Sequence, residues 1–447
     1  MRGVEACVVR PQLFEGPAGS GKTHALLNAV EGLVGQNSLR IDQRVLGLTF
    51  MHGARRRVAD RLRALVKLGG RFDTMTVDSF ARHVVVRWQS LARSLGLPPL
   101  PTDSTEADGF ETVSEVALQL VRRGEVLGWV AATYPILIVD EMQDCRGSRF
   151  EIIRCLSSRM RLLAAADEFQ DLRELSVNPT ITWLRSNSDV TPFSGNQRTH
   201  VVGLLAAARA LREGFTVQKG TGFSLLAAPN YHVAALFLAR SFGWWGLHDT
   251  VILTPAKQET APFVKDVLAK LRSERIQDRK YGRALGPFRI RSEPSHEEDA
   301  TALVQQIEGM DVTASHDELV QTVRKISAPV ACALRGWLST QRRVAGRNVI
   351  PVSELQQQVR RLYQHVRAHT VDHQGMARIM TIHQAKNREF SRVIVLWPYQ
   401  VVGDQELGRR LLYNAITRAK SACLVVVQDG NKGARLGHPP FRGVSAQ

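Results

Sequence analysis

Short apolar runs rich in Val, Leu and Ile alternate along the chain with segments whose apolar residues recur at helical spacing. That alternation predicts an α/β layer structure built on parallel sheet. Two such regions stand out. In the first, strands are predicted at QLFEG (12–16), RVLGLTF (44–50), TMTV (74–77), PILIVDE (135–141) and RLLAAAD (161–167). In the second they are predicted at TVILTP (250–255), RIMTI (378–382), RVIVLW (392–397) and ACLVVV (422–427). Between about 285 and 375 the pattern turns helical and basic, which predicts a helical insertion entered through the loop RSEPSHEED. The Pro-rich stretch 97–109 marks a surface loop inside a smaller helical insertion, about 81–134. The expected division is therefore 1–195, 196–430 and a disordered tail, 431–447, in a glycine- and proline-rich stretch.

Composition narrows the partners. Lys and Arg number 59 against 42 Asp and Glu, a formal charge of +17, which suits a polyanion and would equally suit a ribosome or a membrane surface. Cys7, Cys145, Cys155, Cys332 and Cys423 are scattered, with no CxxC pair, so neither a disulfide framework nor a zinc site is indicated. Charges interrupt each apolar run well short of the roughly 20 residues a membrane span needs. The opening MRGVEACVVRP lacks a signal-peptide apolar stretch. A cytoplasmic protein without membrane contact is the expectation.

The first chemical signal is GPAGSGKT, comprising Gly16, Pro17, Ala18, Gly19, Ser20, Gly21, Lys22 and Thr23, between a predicted strand and a predicted helix. In that setting successive backbone N–H groups wrap a β-phosphate, the lysine neutralises β and γ oxygens, and the threonine hydroxyl holds Mg²⁺. Taken alone it would serve a kinase, a GTPase or a transporter ATPase. The second signal is ILIVDEMQD, 136–144, an apolar strand ending in adjacent carboxylates. Strand alternation lets Asp140 reach the metal while Glu141 faces an attacking water as general base. A charged strand-to-helix cap is the bland alternative for that string alone.

With those two in place, the rest of the chain resembles the UvrD/Rep-type superfamily 1 DNA helicases, whose motifs occur in order from Gly16 to Lys420. GLTFMHGARRRVADRL from Gly47 resembles their motif Ia. TVDSFARHV from Thr76 resembles the motif that follows, in its RecB and AddA form. AADEFQDL (165–172), NQRT (196–199), TIHQAKNREF (381–390) and RRLLYNAITRAK (409–420) resemble motifs III to VI. The resemblance implies two RecA-like P-loop domains, each with a helical insertion, and an ATP- and Mg²⁺-dependent motor on single-stranded DNA moving 3′ to 5′. It implies that Gln170 senses the γ-phosphate, that Arg198 and Arg418 steady the transition state, that Glu389 contacts the nucleotide sugar and that Tyr413 packs beside Arg418. Phe50, His52, Phe80, Thr381 and His383 become the expected DNA contacts, with Arg55, Arg56 and Arg57 as further phosphate contacts or a solvated helix face.

Departures from the family pattern matter as much. The family's adenine-reading glutamine lies further upstream than this chain extends, so base recognition is open between another group and an incomplete start. Motif III runs from Leu172 into RELS instead of an aromatic-rich string, leaving Trp183 as the candidate substitute platform. Motif V carries Lys386-Asn387-Arg388-Glu389 where a lysine-glycine pair is usual, which alters a tight turn. Both insertions are short. Duplex unwinding is therefore expected to need a partner, and the alternative reading is an ATP-gated DNA-binding subunit that controls a nuclease or repair protein. His365, His369 and His373 fall on one helix face and are read as solvated rather than metal-binding; Trp244 and Trp245 are read as core or interface.

Overall fold

The computed structural model describes residues 10–36, 39–50, 52–99, 107–173, 177–195, 199–255, 261–293, 303–305, 307, 313–326, 330–344, 346–366, 375–430 and 433–443. The strands β1 (Gln12–Glu15), β2 (Val45–Thr49), β3 (Phe72–Thr76), β4 (Ile136–Val139), β5 (Arg161–Ala166) and β6 (Asp189–Pro192) form one parallel sheet in the order β3-β2-β4-β5-β1-β6. All residues of β2 and β4 are buried. That explains why their sequences read as continuous apolar runs instead of alternating ones.

A second parallel sheet contains β7 (Phe223–Ala228), β8 (Thr250–Thr254), β11 (Ile290–Ser292), β14 (Ala377–Thr381), β15 (Phe390–Trp397) and β16 (Ala419–Gln428). Its order is β11-β14-β8-β15-β16-β7. Two small antiparallel pairs lie outside both sheets, β9 (Ile276–Asp278) with β10 (Arg283–Leu285) and β12 (Thr313–Ser315) with β13 (Val349–Pro351). The sequence did not announce β6, β7 or β11. Each lies at a sheet edge, where β6 is mostly exposed and β11 has three residues, so neither leaves a buried run to read.

Local chemistry sets the crossovers. Val77, read above as the end of a strand, instead opens the helix Val77–Arg87, because the Thr76 side chain accepts the Ser79 amide as an N-cap. Asn230 and Asp404 cap the helices Tyr231–Trp245 and Gln405–Ile416 in the same way. Helices at Val77–Arg87, Gln89–Ser94, Ala107–Val121 and Gly124–Thr133 fill the span between β3 and β4.

In the second unit, residues 290–292 belong to the sheet, so the helical insertion begins after them rather than at about 285. Its helices, His316–Lys325, Ala331–Arg343 and Val352–Val366, enclose their own core of Leu319, Leu334, Leu338, Leu355 and Val359. Each of those side chains is fully buried, which stabilises this small body by about 1.5–3 kcal/mol per residue.

The expectation of a disordered tail is corrected for 433–443. Phe441 is buried against Trp397, with ring centroids 5.8 Å apart, and its carbonyl accepts the Val217 amide at 2.9 Å. An aromatic with that much apolar surface to cover outweighs the local glycines and prolines. No helix among the described residues is long and apolar enough to cross a membrane.

Each sheet is covered on both faces. On the second sheet, Val202–Glu213 and Gln405–Ile416 cover one face, whose core also takes in Ala18, Phe169 and Leu172 of the first unit. Tyr231–Trp245 and Pro262–Ser273 cover the other. The two units therefore meet across one face of the second sheet.

Candidate nucleotide and nucleic-acid site

The loop from Gly16 to Gly21 leaves the end of β1 and leads into the helix Lys22–Gln36. Gly19 and Gly21 have φ of 78° and 92°, and a Cβ on Gly16 would lie 2.4 Å from the Phe193 carbonyl oxygen, so side chains are excluded where the loop turns and where it passes β6. Lys22 is buried and donates to the Gly16 and Pro17 carbonyls, each at 2.8 Å. The Ser20 hydroxyl is buried with no partner. A cradle of glycines, a lysine hydrogen-bonded to its own loop and a buried hydroxyl without a partner among the described residues together fit a polyphosphate.

The Thr23 hydroxyl donates to Asp140 at 3.3 Å. A hydroxyl beside a carboxylate is an all-oxygen set suited to Mg²⁺. Burial, with Glu141 next to it, pushes the Asp140 carboxyl up to about 6 against the pull of Lys22 and Arg57. Glu141 sits at φ 59°, and the Gln143 side-chain Nε2 donates to its carboxylate at 2.6 Å. The Gln143 side-chain oxygen in turn accepts the Asp167 backbone amide at 3.0 Å, so β4 and β5 are tied together at their ends. Gln143 was not singled out in the sequence, although it lies inside DEMQD.

Asp167 gathers groups from both units. Gln170 donates to it at 2.9 Å, Tyr413 at 3.1 Å and Arg212 at 2.6 Å. Burial pushes its carboxyl up, but the charges of Lys22 and Arg212 and the hydrogen bonds hold it below the usual range. The Tyr413 hydroxyl also accepts the Ala18 amide at 2.9 Å, and its ring meets Phe169 edge-on at 5.0 Å. Burial and Asp167 push the Tyr413 phenol above its ordinary value. Arg418, 2 % exposed, donates to the Gln170 side-chain oxygen at 3.2 Å and to the Asn414 carbonyl at 3.1 Å. A separate cross-unit pair joins Lys386 to Asp144 at 2.5 Å, both mostly buried. Arg212 carried no signal in the sequence: it ends an ordinary amphipathic helix, and only the fold brings it to Asp167.

The structure thus brings Lys22, Thr23, Asp140, Glu141, Gln170 and Arg418 together where the two units meet. Arg198 lies outside the described residues; Thr199 next to it donates to the Lys420 carbonyl at 2.7 Å. Glu389 pairs with Lys420 at 3.2 Å. Asn387 adopts φ 64°, a left-handed conformation that asparagine tolerates.

The expected DNA contacts divide. Phe50 is half-buried against the first core, His383 is exposed, and Thr381 exchanges hydrogen bonds with Gln384 at 2.8 and 3.1 Å. The His52 side chain lies outside the described ones. Phe80 is corrected: at 1 % exposure inside the first core it has no face to offer a base. Trp183 is likewise committed, half-buried and edge-on to Phe150 at 5.5 Å. Arg56 pairs with Asp60 along its own helix, while the charge of Arg57 reaches Asp140. The side chains of His365, His369 and His373 fall outside the described ones.

A family model described as an AAA domain matches residues 3–174, and one described as a UvrD-like helicase C-terminal domain matches residues 376–426. No curated protein matches the chain. Among solved structures, the arterivirus nonstructural protein 10 helicase is similar at 12% identity and a TM-score of 0.39, over 95% of this chain and 61% of that one. The chain thus spans under two thirds of that protein's length. A family match thus falls on each α/β unit, and together they liken the chain to UvrD-like helicases.

Proposed function

We propose that the chain is an ATP- and Mg²⁺-dependent motor that moves 3′ to 5′ along single-stranded DNA. The observation that carries this reading is the reach of Arg418, a buried cation of the second unit, to Gln170 beside the phosphate loop of the first. Phosphoryl transfer spreads charge over equatorial oxygens that need positioned cations, and Lys22 and Arg418, from opposite walls, are such cations. Bound ATP would supply the γ-phosphate. Around it, Thr23 and Asp140 would hold Mg²⁺, Glu141 would accept the proton of the attacking water, and Gln170 would relay occupancy to Arg418. Arg198 would complete the second wall, and Glu389 would lie at the sugar.

Nucleotide exchange then becomes motion. Groups that join the units only when both walls are engaged bias a closed arrangement, and hydrolysis removes that bias. Phe50, His52, Thr381 and His383 would grip the strand by stacking and backbone contacts while the units open and close.

ATP turnover with and without single-stranded DNA tests the motor. The wild type should be stimulated by DNA, and Lys22→Ala should be inactive in both conditions; equal turnover of the two proteins would sink the proposal. Strand displacement on a duplex with a 3′ tail then separates an independent helicase from an ATP-gated subunit of a nuclease or repair complex. One observation favours the second reading: Trp183, the candidate stacking platform after motif III, is half-buried with its ring edge-on to Phe150. Displacement without any partner would exclude it.

A further inference from the structure

We propose that the outer face of the second unit carries a separate binding site for single-stranded DNA, in which Trp244 and Tyr281 stack on bases and Lys280 and Arg283 contact phosphates. The proposal rests on DNA being the motor's track. Trp244 and Tyr281 are 69% and 48% exposed, and their rings stand 6.3 Å apart at 73°. Trp245, the next residue, is half-buried in the core of that face, so the pair splits into an anchor and a presented ring. The Lys280 ammonium and the Arg283 guanidinium lie 5.3 and 5.6 Å from the Tyr281 ring centroid.

The platform is built, not incidental. Arg240 on the helix grips Asp278 of the hairpin through two hydrogen bonds of 3.0 and 2.7 Å, and the Asp278 side chain is fully buried. The hairpin turns at Gly282, with φ 61°. A rigid hairpin thus holds an aromatic at its tip beside a second aromatic from the helix.

Charge selects the ligand. Arg275, Arg279, Lys280, Arg283, Arg289 and Arg291 are exposed, whereas the single carboxylate in that span, Asp278, is consumed by Arg240. Phosphates fit such a surface, and so would the carboxylates of an acidic peptide. The two presented rings decide for nucleic acid, because every base has a π-face to stack and a carboxylate has none. The site lies on the sheet face covered by Tyr231–Trp245 and Pro262–Ser273, opposite the face that meets the first unit. It is therefore outside the cleft, and a strand segment held there would lie off the motor's track.

The test uses the full chain, its double variant Trp244→Ala/Tyr281→Ala and the charge variant Lys280→Glu/Arg283→Glu. Anisotropy is read with thymidine oligonucleotides of about 8 and about 40 residues, the shorter filling one site and the longer able to reach both. Both variants should bind the long oligonucleotide about tenfold more weakly than wild type, bind the short one equally, and keep wild-type ATP turnover when saturated with it. The charge variant should also show a shallower salt dependence on the long oligonucleotide. Unchanged long-oligonucleotide affinity overturns the proposal, as does an equal loss on both lengths. Binding of polyglutamate by wild type but not by the charge variant, with DNA binding unaffected, would assign the patch to an acidic protein partner instead. If no oligonucleotide stimulates turnover yet the long-oligonucleotide loss is seen, the motor reading falls and this site stands.

Discussion

The two walls of the cleft are built differently. The first takes its chemistry from two short, contiguous stretches, Gly16–Thr23 and Asp140–Asp144, each at the end of a buried parallel strand. The second presents single side chains from separate helices: Arg212 from the end of one, Tyr413 from another, and Arg418 just beyond it. These converge on Asp167 and Gln170, which belong to the first unit. A wall made of backbone amides and strand ends is fixed by local geometry. A wall made of long side chains exists only while the units are together, and that is the property a nucleotide-driven closure requires.

Four substitutions probe that contrast. The largest effect is expected at Arg418: Arg418→Ala should lower ATP turnover about 10³-fold with less effect on nucleotide affinity, measured by steady-state kinetics and equilibrium binding. Retained turnover would mean that the second wall plays no part in the chemistry. Glu141→Gln should cost about 10²-fold in turnover at saturating nucleotide while leaving binding intact, which locates the loss in the first wall. A binding defect of the same size would reassign Glu141 to holding the nucleotide.

Next, Tyr413→Phe removes one hydroxyl that donates to Asp167 and accepts from Ala18. It should destabilise the closed arrangement by about 1–3 kcal/mol, seen as faster amide exchange at the cleft, with each sheet's own melting little changed. Uniform destabilisation of both units would show that the hub supports the fold at large. The smallest effect is expected at Asn387→Gly. Relief of the left-handed backbone is offset by the greater entropy of glycine in the unfolded chain, so stability should move by less than about 1 kcal/mol and DNA-stimulated turnover should persist. A large loss would show that the asparagine side chain itself has a role.

Much of the first wall was legible in the sequence because its signals are local. A glycine loop between strand and helix, and carboxylates closing an apolar run, each describe their own geometry. Phe80 shows where pattern misleads: its place in a resembled motif suggested a base contact, but the apolar face of its helix turns it into the core. Phe441 misleads in the opposite sense, since a segment rich in glycine and proline still docks when one large aromatic finds a place to bury.

By itself the sequence determined the two α/β units, the phosphate loop, the carboxylate pair and the order of the motifs, because strand burial, loop turns and strand-end chemistry act over a few residues. Only the tertiary structure decided that Arg212 reaches Asp167, that Gln143 links Glu141 to Asp167, that Lys386 pairs with Asp144 across the units, and that Trp244 faces out while Trp245 faces in. Each of these depends on packing between elements far apart in the chain, where apolar burial drives the contact and pairing offsets the cost of desolvating charge, and no local pattern encodes that partner.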